Sequence, residues 1–444
     1  MSTREDDAFR LAALLGEALI RGGASSAATT TSLQRVLRST GMDDAAVGIT
    51  MGQIIISRPA AGRGGAITHV AEAPPGSLDL ELRARVMALI EDLTHGRRTL
   101  RECLAEVEGR VDGRVDGAWQ DHVPAAAGFS MLGAGFSMIM GGSLATTISA
   151  GLIAAAAYAA FLAMERLRSP GIFGLAAVGL TSVLGATAAT VLLDDAQTAL
   201  CIVASLAAWL AGITAYGAAQ DIITGWYLSA AGRLMDVASR TAGLVAGVAL
   251  GIHLMAPFVG ESVAYIDALH PDSHHWSLSV LGALGVAGGY GLASRGRGRR
   301  LLALAGLGGL AQLLVLLLQA AGLSSYLAIL GAAIVIGAVC VRASARLGLP
   351  SHASMTIALL PLFPGTHVYQ GMLGTLFGVS GTGDELTAGA ITAFCLSMGG
   401  LLGQFLASRT APGPAWPRRD VSRSPAPRSE RRDLAVDTLQ HVRL

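Results

Sequence analysis

The chain has 444 residues, of which 52% are hydrophobic and 14% are charged, with a formal net charge of +1 and a mean hydropathy of +0.54. This composition excludes an ordinary water-soluble protein. All 32 basic residues are arginine, and the lack of lysine excludes a Walker A phosphate loop, a Schiff-base lysine and a lysine general base. If the protein pumps a solute, an ion gradient is favoured over ATP as its energy source.

The charged residues are concentrated at the two ends of the chain. Residues 123–408 contain only ten arginines and ten acidic residues. The polar start MSTREDDAFR lacks the apolar stretch of a signal peptide, so none is expected. We therefore predict four segments: a cytoplasmic α+β domain with its linker (1–122), two membrane halves (123–258 and 259–408), and a disordered Arg/Pro-rich cytoplasmic tail (409–444).

The first segment alternates helical and β-rich patterns. Apolar residues at helical spacing predict four helices, and two β-rich stretches separated by a Pro/Gly/Arg sequence predict a pair of strands. The predicted helices are 7–22, 29–39, 78–94 and 99–108, and the predicted strands are 47–57 and 65–73. These elements predict a small α+β domain.

Ten apolar stretches of membrane-spanning length follow the linker. They are 123–142, 144–164, 172–193, 197–219, 237–258, 276–294, 301–321, 325–344, 352–376 and 388–408. With ten spans, every arginine falls on the side of the N-terminus. The positive-inside rule then places both termini in the cytoplasm, in a multi-pass protein of the cell (plasma or inner) membrane.

The stretches 197–219 and 352–376 resemble each other. Alignment of Gly212 with Gly365 also aligns Tyr216 with Tyr369. Each lies in the fourth span of a set of five, and an odd number of spans gives the two sets opposite orientations. The sequence therefore predicts an all-α polytopic membrane body built as a 5+5 inverted repeat.

The second of these stretches contains Pro361, Pro364 and Gly365. Each proline removes a backbone donor, so we predict a broken helix with Thr366 as the cap of its second half. A positive helix end would suit an anionic group. The alternative is a simple kink. By the alignment, we predict a corresponding break at Gly212 in the fourth span. The predicted substrate-binding residues around the two breaks are Gly212, Tyr216, Pro364, Gly365, Thr366 and Tyr369.

Four ionisable residues in or near the spans are functional candidates because charge is costly in the membrane. Asp221 could carry protons or bind an amine, or it could be an interfacial acid. His367 is a candidate proton relay. His253 could be a second relay or a hydrogen-bonded interior histidine. Arg240 could pair with Asp236 or extend to the cytoplasmic surface.

No pattern indicates an enzyme or a cofactor. GxSxG, HExxH and CxxC are absent, and the four cysteines are far apart in the sequence. The loop cluster His270, Asp272, His274 and His275 could bind a metal, but a solvated loop is favoured. We expect no metal, no cofactor and no nucleic-acid partner.

Longer motifs resemble the threonine/serine exporter family. They are LAALLGEALIRGGASS with Gly23-Ala24, GITMGQIIIS, LDLELRARVMALIEDLTHGRRTLRECLAEVE, AGITAYGAAQDIITGWYLSAAGRLMD and PLFPGTHVY. Among the family's motif residues, Gly212, Asp221, Gly225 and Ser229 are present in the first half. The chain departs from the family at Ser25 and Ser26, where Arg and Glu are typical, and at Ala211, where the first-half proline is replaced.

The resemblance implies a secondary transporter that exports threonine, serine or a similar small polar amino acid, coupled to proton influx, by alternating access. Its expected partners are the amino acid, protons, the lipid bilayer and a further copy of the chain in a homo-oligomer. Two alternatives stay open: a carrier of the same fold for another metabolite or peptide, and a membrane scaffold or sensor that transports nothing.

Overall fold

The computed structural model describes residues 3–21, 24, 26–50, 52–59, 65–73, 80–111, 119–193, 195–259, 276–347, 351–377 and 381–409. The loop at 270–275, for which a solvated loop is favoured over a metal site, and the tail beyond 409 lie outside the described residues. So does the side chain of His352, which flanks the second proline-containing stretch in the sequence. The described part belongs to one compact unit spanning residues 1–413.

The N-terminal region (residues 3–111) combines four helices with a three-stranded antiparallel sheet. The elements are α1 (Thr3–Arg21), α2 (Ser26–Ser39), β1 (Ala46–Thr50), β2 (Gly52–Pro59), β3 (Ala66–Ala73), α3 (Leu80–Thr94) and α4 (Leu100–Val111). The strands lie in the order β1-β2-β3. The helices and strands of this region share a hydrophobic core, which includes the fully buried Phe9, Leu33 and Ile54.

The predicted strand 47–57 is wrong in one respect, because the chain reverses direction within it. Thr50 pairs with Gln53 across an antiparallel hairpin. Gly52 has a φ of +91°, a conformation that glycine adopts without the steric cost of a side chain. The hydrophobic pattern alone did not reveal this turn.

The helical bundle (residues 119–409) follows. Its elements are α5 (Trp119–Ile139), α6 (Leu144–Arg166), α7 (Gly171–Leu192), α8 (Thr198–Leu206), α9 (Gly212–Ile223), α10 (Tyr227–Val259), α11 (Trp276–Ala293), α12 (Gly298–Ala320), α13 (Ser325–Leu347), α14 (Ser351–Ala358), a 3-10 turn (Leu360–Leu362), α15 (Gly365–Phe377) and α16 (Thr382–Ser408). Within the described residues, seven helices are long and apolar enough to cross a membrane: α6, α7, α10, α11, α12, α13 and α16. The protein is therefore a polytopic, mostly helical membrane protein.

The helices after α10 repeat the packing of those before it. In the first set, α5 packs on α6, α6 on α7, α7 on α10, and α9 on α10. In the second, α11 packs on α12, α12 on α13, α13 on α16, and α15 on α16. The short helices α8 and α14 each pack against the three helices that precede them in their set.

Glycines allow the closest helix crossings. An ideal Cβ on Gly135 would lie 2.5 Å from the carbonyl oxygen of Gly282, and one on Gly282 would lie 2.5 Å from that of Gly135. Gly128 and Gly289 form a second reciprocal contact with the same separation. The antiparallel crossing of α5 and α11 therefore depends on the absence of side chains at these positions.

Candidate functional site

Both predicted helix breaks are present. In the second set, α14 ends at Ala358 and α15 begins at Gly365, with Pro361 in the 3-10 turn between them. In the first set, α8 ends at Leu206 and α9 begins at Gly212 although no proline intervenes. Leu210 closes a turn there by donating from its backbone N–H to the carbonyl of Leu206 at 3.1 Å.

The two breaks lie directly against each other. An ideal Cβ on Gly212 would lie 3.0 Å from the Cβ of Phe363 and 3.3 Å from the backbone nitrogen of Gly365. An ideal Cβ on Gly365 would lie 2.7 Å from the Cβ of Leu210. The aligned glycines therefore allow the starts of α9 and α15 to meet.

A small cavity of about 10 Å³ lies at this junction. Gly212, Gly365 and Thr366 line it, together with Leu210 and Phe363. That volume holds about one water molecule at most. Thr366 is the second residue of α15, so the prediction that it caps the helix is wrong: with Thr366 as the N-cap the helix would begin at residue 367, but it begins two residues earlier, at Gly365. Pro364 stands immediately before α15, and its carbonyl accepts from the backbone N–H of Val368 at 3.2 Å.

The two aligned tyrosines are both buried but differ in their polar contacts. The ring of Tyr216 stacks on Phe363 with centroids 5.0 Å apart, and its hydroxyl accepts from Nε2 of Gln220 at 2.7 Å. Tyr369 lies in the hydrophobic cluster that contains Leu210. Its hydroxyl finds no hydrogen-bond partner among the residues that the structure describes.

Asp221 is buried, with 1% of its side chain exposed, and its Oδ2 accepts from Nε of Arg233 at 2.9 Å. The ion pair joins α9 to α10. An ideal Cβ on Gly217 would lie 3.0 Å from Nη1 of Arg233, so this glycine leaves room for the guanidinium group. The sequence predicted Asp221 as a candidate but not its arginine partner twelve residues later.

The two histidine candidates have different surroundings. His367 lies in the first turn of α15, where its Nδ1 is 2.7 Å from Oε2 of Glu385 on α16. His253 is exposed on α10 and lines neither of the two cavities described here. The alternative of an interior histidine at 253 is therefore wrong: the close glycine contacts on α10 belong to another face, which packs on α7.

A large cavity of about 790 Å³ opens between the N-terminal region and the bundle. Ser26, Thr50 and Glu81 of the N-terminal region line it on one side. It extends to the first break, where its lining residues include Leu210, Ala211, Ile213, Tyr216, Gly217 and Gln220. Leu210 and Ile213 also line the small cavity, so the two cavities share a wall at the first break.

Aromatic side chains form one wall of the large cavity. Phe129 stacks on both Tyr158 and Trp209, with ring centroids 4.7 and 4.9 Å away, and those two rings are themselves 6.5 Å apart. Phe161 also packs on Trp209, with the ring centroids 4.6 Å apart. Sequence reasoning missed this wall because its residues come from two helices, α5 and α6, and from the segment between α8 and α9, and have no common spacing. No group of three or more potential metal ligands occurs among the described residues.

Comparison with known proteins gives a consistent result across both sets of helices. A family model described as "Putative threonine/serine exporter" matches residues 10–255, and a second, described as "Threonine/Serine exporter, ThrE", matches residues 279–406. A protein of Mycobacterium tuberculosis (strain H37Rv) named "Probable threonine/serine exporter" is 27% identical over 403 residues, which cover 89% of this chain and 75% of that protein. No solved structure matches the chain. Because the first model alone spans more than half of the sequence and the second covers the later helices, the chain belongs to the threonine/serine exporter family, whose members are transporters and not enzymes.

Proposed function

We propose that the protein exports threonine, serine or a similar small polar amino acid in exchange for protons, by alternating access around the two helix breaks. Family membership supports an amino-acid exporter, and the name of the mycobacterial relative supports the choice of substrate. The observation that carries the mechanism is the contact between the two breaks, the first of which lines the end of the large cavity.

Ten spans in two inverted sets account for this arrangement. The seven long apolar helices are joined by α5 and by two broken spans, α8 with α9 and α14 with α15. The corresponding contacts in the two sets and the reciprocal glycines of α5 and α11 support an inverted repeat. Helix interruptions in membrane proteins occur where they are buried in protein or line a water-filled cavity.

The large cavity would be the cytoplasmic entrance. Arg233, Arg240, Arg295 and Arg297 are among its lining residues. The positive-inside rule assigns such arginines to the cytoplasmic side of the inner membrane. In this conformation the junction of the breaks has room for no amino acid, so we assign the structure to a state in which the entrance is open and the substrate site is closed.

Two pairs of titratable side chains are our candidates for proton coupling. Asp221 with Arg233 lies beside the large cavity, and His367 with Glu385 lies in the corresponding hairpin of the second set. Opposite orientations of the sets would place the pairs toward opposite sides of the membrane. His253 ranks below them because its exposed side chain lines neither cavity.

A flux assay tests this function. Purified protein in liposomes should exchange external radiolabelled threonine for internal threonine, and a pH gradient should drive net accumulation. Asp221→Asn should retain exchange but lose the response to the gradient, because an amide carries no titrating proton. The control Asp384→Asn removes an exposed acid from the first turn of α16. Absence of flux for every small amino acid, with the protein correctly inserted, would contradict the proposal.

A larger metabolite is the second candidate substrate. The cavity of about 790 Å³ lies within the size range of pockets that hold drug-sized ligands. Competition of peptides and organic acids against threonine would separate the two candidates, since a peptide carrier should be inhibited by peptides at lower concentrations than by threonine.

A further inference from the structure

A charged stripe runs along the cavity wall on one face of α10. Arg233, Asp236 and Arg240 all line the large cavity, and their spacing of three and four residues places them on the same side of the helix. Asp236 and Arg240 form an ion pair, with Nε of the arginine 2.7 Å from Oδ2 of the aspartate. The stripe continues to Ser229, which accepts a hydrogen bond from Ser26 of the N-terminal region at 3.1 Å.

The Asp236–Arg240 pair remains open to the cavity. The exposed fractions of the two side chains are 24% and 41%, compared with 1% for Asp221. Arg240 bonds Asp236 through Nε, so among the described residues its Nη groups remain available for a second carboxylate. Oδ1 of Asp236 likewise remains available to a second donor.

This arrangement is the electrostatic complement of a zwitterion. The terminal fork of a guanidinium group binds a carboxylate with two parallel hydrogen bonds. A neighbouring carboxylate accepts from an ammonium group, and an amino acid carries its ammonium and carboxylate groups on adjacent carbons. Exposed ion pairs contribute little to stability, whereas charges that face a cavity in a membrane protein mark solute pathways.

We propose that Asp236 and Arg240 form a loading site for zwitterionic amino acids in the cytoplasmic cavity, separate from the helix breaks. Arg240 binds the α-carboxylate and Asp236 binds the α-ammonium group. Arg233 lies about two turns before Arg240 on the same face, beside Gly217 of α9, and extends the stripe toward the first break. This inference rests on the proposed function, because it assumes that the solute is an amino acid.

Ligands with one blocked charge provide the test. The full-length protein in nanodiscs would be assayed for competition against radiolabelled threonine by threoninamide, which lacks the carboxylate, and by N-acetylthreonine, which lacks the ammonium. We expect the wild type to prefer threonine at least tenfold over each. Arg240→Gln should reduce the preference over threoninamide to less than threefold while keeping that over N-acetylthreonine, and Asp236→Asn should do the reverse.

Two further variants make the comparison specific. Arg240→Lys keeps the charge without the planar fork and should give an intermediate preference, which also covers the case in which Arg240→Gln binds threonine too weakly to measure. Arg299→Gln removes an exposed arginine outside the cavity lining and should match the wild type. Unchanged preferences in all variants of a transporting protein would overturn the loading site alone. Failure of the wild type to bind any amino acid would overturn the proposed function as well.

Discussion

Tyr216 and Tyr369 occupy corresponding positions five residues into α9 and α15, but within the part of the chain that the structure describes only the hydroxyl of Tyr216 has a hydrogen-bond partner. Gln220 follows Tyr216 by one helical turn and donates to its hydroxyl, whereas the residue one turn after Tyr369 is Leu373. A buried hydroxyl without a partner costs free energy in the state where it is unpaired. The sequence alignment identified both tyrosines but could not show this difference, which depends on the neighbours of each ring.

The two tyrosines should therefore respond differently to the loss of the hydroxyl. Tyr216→Phe leaves the buried amide of Gln220 without its acceptor and should destabilise the protein by about 1–3 kcal/mol. Tyr369→Phe should unfold at the wild-type temperature yet reduce threonine flux about tenfold, because its hydroxyl is free to bind substrate when the breaks separate. Thermal unfolding and liposome flux measure the two effects. Equal destabilisation by both substitutions would contradict this interpretation.

The two partners of the buried ion pair between Asp221 and Arg233 should differ in how much their substitution destabilises the protein. Arg233→Gln leaves a carboxylate that is 1% exposed without its counter-charge, which should cost about 3–5 kcal/mol. Asp221→Asn should cost less, because the side chain of Arg233 is 30% exposed and lines the cavity. Thermal unfolding of both variants beside Arg299→Gln measures the difference. If Asp221→Asn were the more destabilising variant, the pairing would be wrong.

Among the elements, the sequence indicates one of the two helix breaks directly and the other only indirectly. Pro361 and Pro364 indicate the second break directly, since proline interrupts the hydrogen-bond ladder. The first break has Ala211 where a proline would be expected, so only its alignment with the second revealed it. The helix α10 begins at Tyr227, ten residues before the predicted fifth span, because a helix can form without the apolar composition that predicts a span; Arg233 and Asp236 lie in this first part.

The close crossing of α5 and α11 can be tested by substituting its glycines. Gly135→Ala and Gly282→Ala each place a Cβ 2.5 Å from a backbone carbonyl, a distance at which the helices must move apart. Each substitution should destabilise the bundle by about 1–3 kcal/mol or more. Gly306→Ala is the matched control, since nothing lies within 4 Å of its Cβ position on α12. A wild-type unfolding temperature for Gly135→Ala would contradict the observed helix crossing.

At the scale of the whole molecule, the N-terminal region contacts the helical bundle beside the cavity that we propose as the entrance for the solute. It lines the large cavity, and Ser26 of α2 bonds Ser229 of α10 across the boundary. Composition predicted that such a domain exists and that it is polar. Its contact with α10 could not be predicted, because a hydrogen bond between serines 203 residues apart leaves no pattern in the sequence.

A cross-link tests whether this region must move during transport. Ser26→Cys/Ser229→Cys should form a disulfide, since the two hydroxyl oxygens are 3.1 Å apart. Oxidation should abolish threonine flux by fixing the cavity wall, and a reductant should restore it. The single variants, treated identically, control for oxidation of the native cysteines. Full flux in the oxidised double variant would show that the wall is static.

The contact between the two breaks also has a consequence for biosynthesis. The first set of helices enters the membrane before the ribosome has made the second, so for that period Gly212 has no Gly365 to meet and α5 has no α11 to cross. The ion pairs of the first set do not depend on the second set, because Asp221 and Asp236 have their arginines on α10. The nascent half can therefore insert with its ion pairs formed, and the site that we propose at the two breaks is complete only when the second set has been made.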